Sequence, residues 1–283
     1  MGHHRNQASV IPAYHLGYGA WWIAFGKVTA GVADDHLGAH LVIDKRFSIV
    51  RTPAVNAQTE PSAPPSPKLP THVLLAPDFP GLLAVRRRGI NLAIWQRSVD
   101  PVLERYLDDL PPSELPDTRF SCRGDQVAAA IADEVHACEQ DHPGRRLLVA
   151  DLIALASDYA RLVDDGKLSL RIERIDSDLC TKYHCDATGL RLLTTYRGPG
   201  TCWVPNAAVE RNQLGPLGTN PDIVPDAAQV RSLPRFAVGL LKGERLGSSD
   251  GDPAIVHRSP AIEGTGQVRL LLCVEPWQPG HGH

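Results

Sequence analysis

"GKLSLRIER", residues 166–174, marks the point where the hydrophobic period of the chain changes from about 3.6 to 2. Leu168, Leu170 and Ile172 alternate with Ser169, Arg171 and Glu173, which predicts a strand with one apolar face. Upstream of it, Leu148, Leu152, Leu155, Tyr159 and Leu162 recur at helical spacing, so a helix is expected over about 146–165, with Gly166 as its C-terminal cap. Val127, Ile131, Val135 and Cys138 predict a second helix over about 124–139. "VDPVLERYLDDLPP" predicts another: Asp100 caps it, Pro101 suits its first position, Leu103, Leu107 and Leu110 share a face, and Pro111 stops it.

Downstream the signals are all of strands: "LRLLTTY" (190–196), "GTCWV" (200–204), "FAVGLL" (236–241), "AIVH" (254–257) and "VRLLLCV" (268–274), with "INLAIWQR" (90–97) ahead of the helices. Helices followed by many short strands predict an α+β fold, an N-terminal helical layer packed on a β-sandwich or barrel. The expected organisation is an N-terminal extension and linker over 1–70, a mainly helical stretch over 71–166, a β core over 167–276 and a tail over 277–283. The linker reading rests on "TEPSAPPSPKLP" at 59–70, where five of twelve residues are proline and neither ladder nor helix can persist.

At 283 residues the chain can form one substantial core, and a formal charge of −3 points to neither nucleic acid nor an anionic membrane as partner. "YGAWWIAFG" at 18–26 is too short to span a bilayer and is not a signal-peptide core. Six cysteines with no CxxC pair do not form a disulfide scaffold. A cytoplasmic location is expected.

The chemistry gathers around "KYHCDA", 182–187. On a strand, His184 and Asp186 share a face and Cys185 points away. A histidine from elsewhere would complete two imidazoles and a carboxylate, the facial set that leaves three positions open on non-haem Fe(II). "AIVHRSP" offers His257, 71 residues after Asp186, and "QVRLLLCV" then carries Arg269 inside an apolar strand. A buried guanidinium needs an acceptor, and the distal carboxylate of a dicarboxylate such as 2-oxoglutarate is one. HxD, then His, then Arg therefore reads as a metal with 2-oxoglutarate as cosubstrate, with Tyr196 or Ser259 adding a hydrogen bond.

The passage "HCDATGLRLLTTYRGPGTCWV" resembles the HxD strand, the next strand and the glycine–threonine turn of the double-stranded β-helix oxygenases of the prolyl-hydroxylase type, and "FAVGLLKGE", "AIVHRSP" and "VRLLLCVE" resemble their closing strands. The resemblance spans roughly 180–275 and implies a jelly-roll or cupin-like core. It also implies an Fe(II)- and 2-oxoglutarate-dependent activity, with His184, Asp186 and His257 on the metal and Arg269 on the cosubstrate. The region 90–275, with "IWQR", "YRGPGT" and "VHRSP", is similar to a bacterial family of uncharacterised proteins, a domain of unknown function. The substrate is not legible.

Plainer readings compete at each position. His184 and Asp186 can form a solvated strand face, His257 can be a surface residue beside Arg258, and Arg269 can pair with Glu173. Lys242 is a rival anchor for the cosubstrate. Zinc held by Cys180, His184 and Cys185 or Cys202 is an alternative that a helix, but not a strand, would permit, since four strand positions span ~13 Å. A β-helix shell without chemistry, acting as a binding module, is the third reading. "YRGPGT" lacks the lysine–serine pair of a phosphate loop and reads as a tight turn.

Overall fold

A computed structural model describes residues 69–135, 142–163, 166–247 and 251–278. The extension and linker expected over 1–70 lie almost wholly outside the described residues, as does most of the tail. In chain order the main elements are β1 (Val73–Ala76), β2 (Leu92–Trp95), α1 (Pro101–Asp109), β3 (Thr118–Arg123), α2 (Val127–Val135) and α3 (Pro143–Val163). β4 (Lys167–Ile175), β5 (Leu190–Arg197), β6 (Cys202–Trp203) and the single-turn α4 (Asn220–Ile223) follow. The chain closes with β7 (Arg231–Ser232), β8 (Val238–Lys242), β9 (His257–Arg258) and β10 (Arg269–Pro276).

The strands make a mixed seven-stranded sheet in the order β1-β2-β8-β5-β10-β4-β3 and an antiparallel three-stranded sheet β7-β6-β9. β1 and β2 run parallel, and every other neighbouring pair in the large sheet is antiparallel. β1, β2 and β3 come from the stretch 71–166 and share this sheet with strands from the later part of the chain.

Alternation along the strands separates two cores. Leu168, Leu170 and Ile172 of β4 and Leu270, Leu272 and Val274 of β10 pack with Leu103, Leu107, Ile131, Leu148, Leu152 and Tyr159 of the helices. The opposite face carries Ile175, Leu193, Leu271 and Cys273, which pack with Trp203, Leu233, Ile255 and Ile262 from the small sheet and its flanking loops. α1 starts where its sequence says: Asp100 accepts a hydrogen bond from the Val102 amide, and Pro101 takes the first turn, where no amide donor is needed. Among the described residues no helix is long and apolar enough to cross a membrane.

Two strand expectations fail for one reason. Residues 182–187 are irregular apart from a single bridge at His184, and 254–256 are irregular up to β9. Their backbone groups are satisfied one at a time by different neighbours. The Tyr183 amide donates to the Asn220 side chain, Asn220 Nδ2 donates to the Thr181 carbonyl, and the Ile255 amide donates to the Lys242 carbonyl. A strand needs a continuous partner, and neither segment has one.

Candidate metal centre

The isolated bridge at His184 builds the site. His184 and His257 exchange both backbone hydrogen bonds at 3.0 Å, which sets them directly opposite one another. Their rings lie 4.6 Å apart, centroid to centroid. His257 is held by β9, whose partner β6 aligns Trp203 with it. Asp186 is held by its own carbonyl, which accepts from the Glu244 amide at 2.8 Å. Gly243 makes that approach possible: a Cβ there would stand 2.2 Å from the Thr188 carbonyl and 2.8 Å from that of Asp186.

His184, Asp186 and His257 are, among the described residues, the only group of three or more His, Cys, Asp or Glu whose ligand atoms all lie within 4.8 Å of one another. The His184 and His257 Nε2 atoms stand 3.7 and 3.4 Å from Asp186 Oδ1. Each Nδ1 faces a backbone carbonyl, Lys182 at 2.9 Å and Ile255 at 3.4 Å, so Nδ1 carries the proton and Nε2 keeps its lone pair in the neutral ring. Burial, then the neighbouring His257, pushes His184 below its ordinary value. Burial opposes ionisation of Asp186, but the His257 ring when protonated, the Arg191 guanidinium and the His184 ring when protonated outweigh it and hold the carboxyl well below the usual carboxylate range. Neutral imidazole and ionised carboxylate are the forms a metal requires.

Arg191 on β5 donates to Asp186 Oδ1 and, through Nε and Nη2, to Glu275 Oε2 at 3.0 and 2.6 Å. Asp186 Oδ2 remains buried without a hydrogen-bond partner among the described residues. A carboxylate that keeps one oxygen unpartnered and faces two imidazole nitrogens through the other is a donor set that fits a divalent cation.

His184 and His257 line a cleft of about 220 Å³ whose wall also includes Ser259, Thr201, Leu193 and Leu271. Arg269 is fully buried behind that wall. Its Nε donates to the Pro199 carbonyl at 2.8 Å, and its terminal nitrogens donate to Ser259 Oγ and Thr201 Oγ1, each at 3.3 Å. The "RGPGT" turn presents that carbonyl, and Gly198 takes a φ of 76° there, where a Cβ would meet the Val268 carbonyl at 2.6 Å. Burial pushes Arg269 down to about 10. Glu173, the partner of the plainer reading, pairs instead with Arg119 at 2.6 Å and Arg171 at 3.9 Å.

Several expectations are corrected. Tyr196 lies in the helix-side core and donates its hydroxyl to Asp151 at 2.6 Å, so it does not reach the cleft that Ser259 lines. Lys242 is buried against Asp252 at 2.9 Å and is no anchor in this cleft. Among the described residues no cysteine joins the histidines as a ligand group: Cys185 Sγ faces the Ala254 carbonyl, Cys202 Sγ faces Ser232 Oγ, and Cys180 is exposed at a φ of 55°. The zinc–cysteine alternative falls with this. Arg191, Glu275, Arg171 and Thr201 were not legible as site residues, although alternation places the first three on the same sheet face as Arg269 and Glu173.

Two facing sheets with a His–Asp–His group beside a cleft define a candidate metal-binding protein of mixed α/β class. The chain belongs to the family described as Protein of unknown function (DUF1826), which matches residues 77–275. No curated protein matches it. Among solved structures it is similar to the rice dioxygenase for auxin oxidation, at 14% identity over 75% of this chain and 84% of that one, with a TM-score of 0.40. The 2-oxoglutarate binary complex of AtDAO1 (dioxygenase for auxin oxidation 1) from Arabidopsis thaliana is similar at 10% identity over 74% and 93%, with a TM-score of 0.44. A Pseudomonas putida prolyl-4-hydroxylase is similar at 12% identity over 65% and 99%, with a TM-score of 0.25.

Proposed function

We propose that this chain is an Fe(II)- and 2-oxoglutarate-dependent oxygenase whose facing sheets form a double-stranded β-helix with the helices as an outer layer. His184, Asp186 and His257 would hold the metal, and Arg269 the far carboxylate of 2-oxoglutarate. Bound there, Fe(II) and 2-oxoglutarate supply the activation of O₂ that oxygenation of a substrate needs. The chain supplies position and charge. Arg191, fixed by Glu275, keeps the Asp186 carboxylate ionised and turned toward both imidazoles. Ser259 and Thr201 hold the Arg269 fork at the cleft, and Leu193 and Leu271 make its wall apolar there.

The observation that carries the reading is Arg269: a fully buried guanidinium with no carboxylate partner among the described residues, its fork shared with two cleft hydroxyls beside the ligand trio. Burying such a charge unpaired is unfavourable, and a bound carboxylate relieves it. The test is iron content and 2-oxoglutarate-dependent thermal shift in protein prepared without oxygen. Wild type should carry one iron per chain and shift upward with 2-oxoglutarate, and His184→Ala should lose both. Full iron in His184→Ala overturns the ligand assignment, and absence of both iron and shift in wild type leaves a binding module.

A further inference from the structure

A second cleft of about 220 Å³ shares a wall with the first, since Arg119, Arg171 and Arg191 line both. Among the described residues its charged lining is those three guanidinium groups against one carboxylate, Glu275. A concave surface with that imbalance concentrates anions. Trp277 adds a flat apolar wall to the same cleft.

The three arginines are not equally committed. Arg191 is spent on Asp186 and Glu275, and Arg119 is paired with Glu173 at 2.6 Å. Arg171 is different. Its hydrogen bond goes to Cys273 Sγ at 3.0 Å, and Glu173 and Glu275 lie 3.9 and 4.0 Å from its terminal nitrogens. Burial pushes the Cys273 thiol up, so the acceptor it offers is a neutral sulfur, which is weak. Arg171 Nε is buried without a partner among the described residues, and so is the hydroxyl of Thr188, a 2%-exposed residue of the same cleft. A guanidinium so placed is suited to an oxyanion taken on two nitrogens at once.

We propose that this cleft binds the oxyanion of an acidic small-molecule substrate, a carboxylate or a phosphate ester gripped chiefly by Arg171 with Arg119, and so presents the substrate to His184, Asp186 and His257. The presentation rests on the oxygenase reading; the anion site does not. The position is apt, because Arg191 joins the cleft to Asp186 directly.

The test is calorimetric titration of the full chain, stripped of metal by chelator, with inorganic phosphate and with benzoate at low ionic strength. One of the two should bind saturably, tighter phosphate indicating a phosphate ester and tighter benzoate a carboxylic acid, while neutral benzamide should not bind. Arg171→Gln should weaken the bound anion by about tenfold or more, and Arg119→Gln by about threefold. Arg269→Gln should leave it unchanged. Arg119 is half exposed, so Arg119→Gln keeps the fold and decides the matter should Arg171→Gln not fold. No saturable binding of either anion up to about 10 mM overturns the proposal. So does wild-type affinity in Arg119→Gln together with any folded Arg171→Gln, or loss confined to Arg269→Gln. Anion binding in a chain that never takes up iron sinks the oxygenase reading alone; iron uptake without anion binding sinks this one alone.

Discussion

Substituting Arg269 with methionine separates what its buried charge does to stability from what it does for a ligand. Burial lowers this arginine from 12.5 to about 10, which corresponds to about 3 kcal/mol of penalty for the charged form at ~1.36 kcal/mol per tenfold. Against that stand three hydrogen bonds, to the Pro199 carbonyl and the Ser259 and Thr201 hydroxyls, each contributing ~1 kcal/mol net. The two sums nearly cancel, and a methionine stem refills much of the arginine's apolar volume. Urea unfolding of the ligand-free chain should therefore change by no more than about 1 kcal/mol, where losing a well-paired buried group ordinarily costs several. With metal present and 2-oxoglutarate at a hundred times its Kd, wild type should gain about 2.7 kcal/mol, and the variant little of it at the same concentration. The reasoning is refuted by a variant that loses more than about 3 kcal/mol without ligand, or one that keeps the full ligand-linked gain.

Lys242→Met strands Asp252 without its buried partner and should cost about 3–5 kcal/mol of stability; 2-oxoglutarate affinity measured on the folded fraction should be unchanged, and its loss would restore Lys242 as an anchor. Gly243→Ala forces a Cβ against the Thr188 and Asp186 carbonyls and should destabilise the chain by about 1–3 kcal/mol. Metal content should fall with it, and a variant that binds metal normally means the Gly243 contact does not position Asp186. Acidification gives a signed test. His72 and His184 are both lowered below 6.5, chiefly by burial. The unfolded chain then binds protons that the folded chain refuses, so stability present above the ordinary histidine value is lost as pH falls below it. Urea midpoints of the metal-free chain should drop from about pH 7 to about pH 5, and midpoints that rise across that interval contradict the burial argument.

Much of the architecture is local chemistry and was readable from residues alone. The apolar stripes of α1, α2 and α3, the Asp100–Pro101 start and the alternation of β4 each depend on neighbours within a few positions. Arg269 was readable for a related reason: a charged side chain inside an apolar strand advertises that something must compensate it. Short β1 and β3 were missed, because pairing rather than propensity makes a four- or six-residue segment a strand.

His184, Asp186 and His257 could be named in advance by residue type and spacing, yet the stated reason, a strand over 182–187, was not what brought them together. A reciprocal pair of backbone hydrogen bonds between His184 and His257 did that, together with the Glu244 amide on Asp186. Such bonds join segments far apart in the chain, and their register depends on where the intervening strands pair, which no short window encodes. For the same reason only the folded chain could show that Glu173 is taken by Arg119, that Tyr196 faces the helices, and that Arg171 keeps a buried Nε without a partner among the described residues while lining the cleft of His184 and His257. Residue type and spacing named the side chains suited to hold a metal; the pairing of distant backbone groups decided which of them meet.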